Sequence, residues 1–261
     1  MKRAIRSTVG ADDEFMQPTA AQDQTVVVTG LTNREFLELH ARPGRIGLSG
    51  GCTIIDKAIC RAERHLDEKD RWGSWSHAFL FQGRRLDGQH WVIESDLQIH
   101  RKHIQLGVQE NRIAKYFDEG LYTNLAVLDF ALTEQQIGGL VSEALELVAN
   151  RARYSLRELF GTLIALNRPE LRSRPNLLAR ESSMYCSALV QHLFRTIGLD
   201  LAPGVDLKNT TPEDIARAIV PHTTYLLQRQ VTRSGLSVLK ARLRRRVGAR
   251  IRRMRRRRTP G

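Results

Sequence analysis

Cysteine is scarce in this chain: Cys52, Cys60 and Cys186 are the only three, and no two of them form a CxxC pair. That excludes a disulfide scaffold and a cysteine-rich zinc site, and points to a reducing compartment or to a thiol kept free for chemistry. Long apolar runs are missing as well. No stretch reaches the roughly 20 residues that a bilayer-crossing helix needs. The basic start Met1-Lys2-Arg3-Ala4-Ile5-Arg6 meets Asp12-Asp13-Glu14 where a secretory leader would turn apolar. The expected location is therefore the cytoplasm, or the inner membrane surface as a peripheral protein. Acids are absent from positions 215–261 altogether, so nothing in that segment offsets its cations.

What the chain does contain is enough for one sizeable core: 261 residues, 41% of them apolar. The formal charge of +13 belongs almost entirely to one end, because Lys240 and the eleven arginines between Arg242 and Arg258 supply +12 and residues 1–239 net only +1. Three segments follow. Residues 1–24 lack periodicity and read as a loose leader, 25–233 as the folded domain, and 234–261 as a basic tail. In the tail Leu239, Leu243, Val247, Ile251 and Met254 recur every three or four positions among arginines, the pattern of an amphipathic cationic helix. Its expected partner is an anionic membrane surface, with nucleic acid as the second choice and a merely solubilising tail as the third. No internal repeat is present.

Within the domain, local signals alternate between strand and helix. Thr25 to Thr29 reads as a strand, and Thr32-x-x-Glu35 as a capping box opening a helix to about His40. Arg45 to Ser49 is extended, and Thr53 to His65 is helical. Ser76 to Gln82 and Gln89 to Ser95 form a hairpin around the turn-rich Gly83-Arg84-Arg85-Leu86-Asp87-Gly88. Asn124 to Ala131 is a strand, Thr133-x-x-Gln136 caps a long helix, and Ser155-x-x-Glu158 begins another. A loop over 168–181 delivers Cys186 to an apolar helix that Gly198 ends. Thr211-Pro212-Glu213-Asp214 starts a further helix, and His222 to Arg233 is a last strand.

Cys186 stands where a loop feeds a helix, a position in which unpaired amides and the dipole favour a thiolate, most of all beside an imidazolium. The bland alternative is a small buried core residue. His77, in Ser76-His77-Ala78-Phe79-Leu80-Phe81, is the candidate base. If Gly83 pairs with Gly88, the hairpin register sets Glu94 directly opposite His77, where a carboxylate would orient the ring. His90 is the competing third member: a tighter turn would bring it opposite His77, but only by burying Asp87-Gly88 within a strand. Cys52, after Gly50-Gly51 and before a helix, has the look of a second nucleophile position, and Cys60 reads as core. His100 and His103 lie three apart without an acidic or thiol partner nearby, so they read as a solvated basic patch, and neither a metal nor a cofactor is expected.

These residues resemble the circularly permuted NlpC-type papain-like cysteine hydrolases, particularly their YiiX-like branch, with lecithin:retinol acyltransferase more distant. The resemblance rests on the Gly44 to Gly51 strand and glycine turn, Ser76-His77, Val92-Ile93-Glu94 and Tyr185-Cys186-Ser187, in the order His, carboxylate, Cys over about residues 42–220. It implies an α+β papain-like fold, an antiparallel sheet or partial barrel packed against helices. It makes Cys186 the nucleophile, His77 the general base and acid, and Glu94 the orienting group, with Tyr185 and Tyr154 lining the pocket. Cys52 would stand at the edge of the cleft and not attack. The implied activity is a thiol hydrolase of the amidase or peptidase type, acting on peptide, cell-wall peptide or lipid-linked acyl groups. A lipid-directed acyltransferase or thioesterase is the alternative chemistry, and a non-enzymatic adaptor binding through the tail is the alternative class.

Overall fold

The computed structural model describes residues 24–51, 54–66, 72–100, 103–150, 162, 166, 169–175 and 185–229; at 54, 55, 65, 97–100, 103–106 and 169 it describes the backbone alone. The leader up to residue 23, Cys52, Tyr154, the helix start at Ser155 and the basic tail lie outside the described residues.

Seven strands form one sheet: β1 (Gln24–Thr29), β2 (Ile46–Gly51), β3 (His77–Arg84), β4 (His90–His100), β5 (His103–Arg112), β6 (Tyr122–Asp129) and β7 (Thr223–Gln228). Their spatial order is β1-β7-β6-β2-β3-β4-β5. All neighbours are antiparallel except β1 and β7, which run parallel. The helices are α1 (Asn33–His40), α2 (Ile54–Ala62), α3 (Glu134–Ala149), the single turn α4 (Pro169–Arg172), α5 (Cys186–Thr196) and α6 (Pro212–Ala216). The fold is α+β, a seven-stranded sheet packed against helices. One expectation changes: the parallel β1–β7 pair makes the sheet mixed and not wholly antiparallel.

The central strands read as unbroken apolar runs because both faces of the sheet are covered. Successive side chains alternate sides, so Ala78 and Leu80 of β3 and Ala126 and Leu128 of β6 join Leu140 of α3 and Leu189 and Phe194 of α5 in one core. Phe79 and Phe81, with Leu125 and Val127, join Phe36 and Leu37 of α1 and Tyr116 in the other.

Threonines set the helix starts. Thr32 with Glu35, Thr133 with Gln136 and Thr211 with Asp214 each close a reciprocal capping box, satisfying amides that the first turn leaves without intrahelical partners. Gly198, at φ 80°, ends the α5 segment in the left-handed conformation that a side chain disfavours.

The second half of the first long hairpin departs from expectation. β4 runs on to His100 and is paired along its length by β5, a strand the sequence signals had not marked. His100 and His103 face each other at the far end of that hairpin. The β3–β4 register also differs: Leu80 pairs with Ile93 and Phe81 with Val92, then shifts at Gln82 so that Gly83 pairs with Trp91 and Arg84 with His90. Continued towards the strand start, this register sets Phe79, not His77, beside Glu94. The pairing at the turn, Arg84 with His90, departs from the expected register, and the bulge at Gln82 takes one residue of that shift back, so Glu94 stands opposite Phe79 and is a diagonal neighbour of His77 on the same face.

Candidate active site

Cys186 is the first residue of α5, and Tyr185 is its N-cap, extended and without a side-chain cap bond. The helix is held by its own apolar face: Leu189, Val190, Leu193 and Phe194 are essentially fully buried. Ser187 Oγ and the Tyr185 hydroxyl both donate to the Thr210 carbonyl, at 2.8 and 2.7 Å. Those two bonds pin the start of α5 to the segment just before α6. The cysteine is thus presented by a rigid element at the positive end of a helix.

His77 is the first residue of β3, facing Ser49 of β2 across the antiparallel pair. The segment leading into it is fastened to the end of β2. Ser76 N and Oγ both donate to the Ser49 carbonyl, at 2.9 and 3.3 Å, and Gly51 N donates to Ser76 Oγ at 3.2 Å. A Cβ on Gly50 would stand 2.3 Å from the Ser74 carbonyl oxygen, so the close approach of these two segments requires glycine there.

The imidazole joins two groups. Its Nε2 lies 2.6 Å from Glu94 Oε2, and Cys186 lies close enough for its charge to act on the ring. Glu94 is completely buried while the His77 side chain keeps 16% of its surface. Cys186 is 6% exposed.

Glu94 owes its ionisation to a surrounding set of donors. Asn111 Nδ2 and Lys115 Nζ each reach Oε1 at 2.7 Å, and the Tyr116 hydroxyl donates to Oε2 beside His77. Lys115 also reaches Asp96 Oδ2 at 2.5 Å. Burial alone would push the Glu94 carboxyl up, but the Lys115 charge and the His77 hydrogen bond and charge hold it well below the usual carboxylate range. Burial likewise opposes a charged His77, yet the negative charge and hydrogen bond of Cys186, with those of Glu94, outweigh it and raise the imidazole to about 10. Lys115 itself is burdened by burial and raised overall by Glu94 and Asp96.

A second buried acid stands behind the site. Glu63 is fully buried, and its Oε1 accepts from Glu213 N at 3.1 Å. Glu213 in turn accepts from Ser74 N at 3.3 Å and from Arg217 Nε at 2.9 Å. Burial pushes the Glu63 carboxyl well up, and the charges of Glu213, Asp214 and Cys186 push the same way.

Of the candidates named from sequence, Cys186, His77 and Glu94 come together. His90 does not: it pairs with Arg84 at the opposite end of β3. Tyr185 is 2% exposed, and its hydroxyl is engaged by Thr210 and Thr162, an anchoring contact in the interior. Cys60 lies in α2 with its Sγ 3.4 Å from the Trp75 carbonyl. Tyr154 and Cys52 fall outside the described residues. Asn111, Lys115 and Tyr116 were not singled out from sequence. Their one available signal was chemical, since a buried carboxylate must find donors, but it needed β5 to be recognised first.

No family model matches the sequence, and no curated protein matches it. Among solved structures the chain is similar to the crystal structure of the metalloprotein yiiX from Escherichia coli O157:H7, with 12% identity, coverage of 73% of this chain and 99% of that one, and a TM-score of 0.48. Among the described residues here, no three His, Cys, Asp or Glu side chains gather to hold a metal ion.

Proposed function

We propose that this protein is a papain-like thiol hydrolase whose reaction runs through Cys186, His77 and Glu94. The Cys186 sulfur, as thiolate beside the His77 imidazolium, attacks an acyl carbonyl and forms the C–S bond. Collapse of the tetrahedral intermediate expels the leaving group, which takes its proton from His77. Water then gives a proton back to the ring as it attacks the thioester, releasing the acid and restoring the thiolate–imidazolium pair. Glu94 holds the ring and balances its charge. The Cys186 backbone amide, at the start of α5, is the proposed oxyanion donor.

One observation carries this reading: an imidazole held at 2.6 Å by a fully buried carboxylate feels the charge of a cysteine that begins a helix. The proposed acyl groups are those of peptides, cell-wall peptides or lipid-linked substrates. A transferase or thioesterase shares the first half-reaction and differs in its acceptor or leaving group.

The full-length protein and its Cys186→Ala variant, each incubated with p-nitrophenyl acetate, provide the test. The expected result is turnover by the wild type, an acetyl group trapped on the Cys186 peptide at short times, and neither in the variant. Equal turnover by both would remove the thiol from the reaction. We further propose that the basic tail over 234–261 holds the protein at anionic membranes. Vesicles with and without phosphatidylserine should show binding by the full chain that is lost on truncation after residue 233, while turnover persists.

A further inference from the structure

We infer that Lys115 is a positioning residue of this thiol site: by occupying Glu94 Oε1 it keeps the carboxylate an acceptor, which fixes the His77 proton on Nε2 and leaves Nδ1 to serve the Cys186 sulfur. The inference rests on the hydrolase reading for its consequence in catalysis, but the hold of Lys115 on Glu94 is measurable without turnover.

The geometry is that of a filled carboxylate. Oε1 receives Lys115 Nζ and Asn111 Nδ2, and Oε2 receives the Tyr116 hydroxyl and faces His77 Nε2. Four groups thus fill the two oxygens and stabilise the ionised carboxylate. Only one of the four donors carries a fixed charge. Without it, a completely buried carboxylate would be held by dipoles and by an imidazole able to exchange its proton with it, and burial favours the protonated acid. A protonated Glu94 can donate to Nε2. The neutral ring would then carry its proton on Nδ1, so the nitrogen that Glu94 leaves open could no longer accept one.

Lys115 is delivered with little freedom. It sits in the 3-10 turn Ile113–Phe117, whose Ile113 and Tyr116 are buried three residues apart. The Tyr116 ring stacks on Phe79 at 4.2 Å, and Asn33 Nδ2 donates to the Tyr116 carbonyl at 3.0 Å, tying the turn to α1. The Lys115 ammonium bridges Glu94 and Asp96 with 19% of its side chain exposed. The titratable groups around the pair come from every neighbouring element: His77 of β3, Asp96 of β4, Lys115 and Tyr116 of the turn, Tyr122 of β6, and Cys186 of α5.

The experiment is a carboxyl ¹³C NMR titration of the full-length protein labelled at glutamate, with the Glu94 signal assigned from Glu94→Gln. Wild type, Lys115→Met, Lys115→Gln and Lys115→Arg are compared, with folding checked by circular dichroism. Loss of the charge in the Met and Gln variants should raise the Glu94 midpoint by about one to three pH units, the usual effect of an adjacent opposite charge. The Arg variant should restore it towards wild type. On p-nitrophenyl acetate the same variants should lose kcat with KM little changed, and the Arg variant should recover. Lys115→Gln keeps an N–H donor and stands in if the Met variant does not fold. An unmoved Glu94 midpoint in a folded, uncharged variant would overturn the inference. Retained turnover in Cys186→Ala would instead overturn the hydrolase reading and leave the Glu94 titration to be decided separately.

Discussion

Two cysteines lie on two different helices and meet opposite surroundings. Cys60 is well inside α2, with its sulfur on the Trp75 carbonyl, and burial together with the charges of Glu63, Asp56 and Glu213 pushes its thiol up to about 12. Cys186 opens α5, at the positive end of the helix, and couples to a histidine that a buried carboxylate holds. Glu63 stands near both: its charge helps to raise the Cys60 thiol, and its own carboxyl is raised in part by Cys186. Burial and then the negative charges around it disfavour a thiolate at Cys60, whereas the helix start and the histidine beside Cys186 are the surroundings on which the proposed reactivity of that thiol rests.

The comparison is tested most severely by Glu94→Gln, which keeps the shape of the side chain but presents an amide to His77. If the carboxylate fixes the proton on Nε2, turnover of p-nitrophenyl acetate should fall by several powers of ten, on the order of 10⁴ where the wrong tautomer is imposed elsewhere. A loss below about tenfold would mean that the ring needs no such partner. A smaller effect is expected on stability. His77 is raised from 6.5 to about 10 in the folded protein, so its charged-state contribution is complete below pH 6.5 and is lost as pH rises through about 10. The Tm advantage of wild type over His77→Gln should therefore shrink steadily between those values, and a constant gap would contradict the assigned coupling.

Glu63 sharpens the other side of the comparison. Its folded-state carboxyl is raised, so the folded protein is penalised as pH climbs above the ordinary glutamate range. Glu63→Gln removes that penalty. The variant should gain Tm relative to wild type near neutral pH and little at pH 4, whereas a loss at neutral pH would show that the Glu213 amide bond outweighs the titration. The mildest change is Cys60→Ala. It should leave p-nitrophenyl acetate turnover within about twofold, since large-to-small changes in a partly buried helix act on stability.

How much of this was legible in the sequence depended on the range of the interaction. The Thr32, Thr133 and Thr211 helix starts were readable because each is written within four residues. The β3–β4 hairpin was readable as a pair of strands, but neither the turn pairing of Arg84 with His90 nor the bulge at Gln82 was; the turn displaced the expected register and the bulge took part of the shift back, leaving Glu94 within reach of His77. β5 carries Ile104, Leu106 and Val108 in alternation, a period-two signal hidden among His103, Gln105, Gly107 and Gln109 and placed at a sheet edge. Missing that strand meant missing Asn111 and the turn with Lys115 and Tyr116 that follows it. The parallel β1–β7 pair joins residues about two hundred positions apart, a partnership no local pattern encodes.

The central claim is that His77 makes Cys186 the reactive thiol of this protein. Its most direct test is the rate of alkylation by iodoacetamide at each cysteine, read by peptide mass mapping of the full-length protein at pH 6, in wild type and in His77→Ala. The account predicts that Cys186 is modified far faster than Cys60 and that the substitution abolishes this advantage. Equal rates at the two cysteines in wild type, or a Cys186 rate unchanged without the histidine, would contradict it.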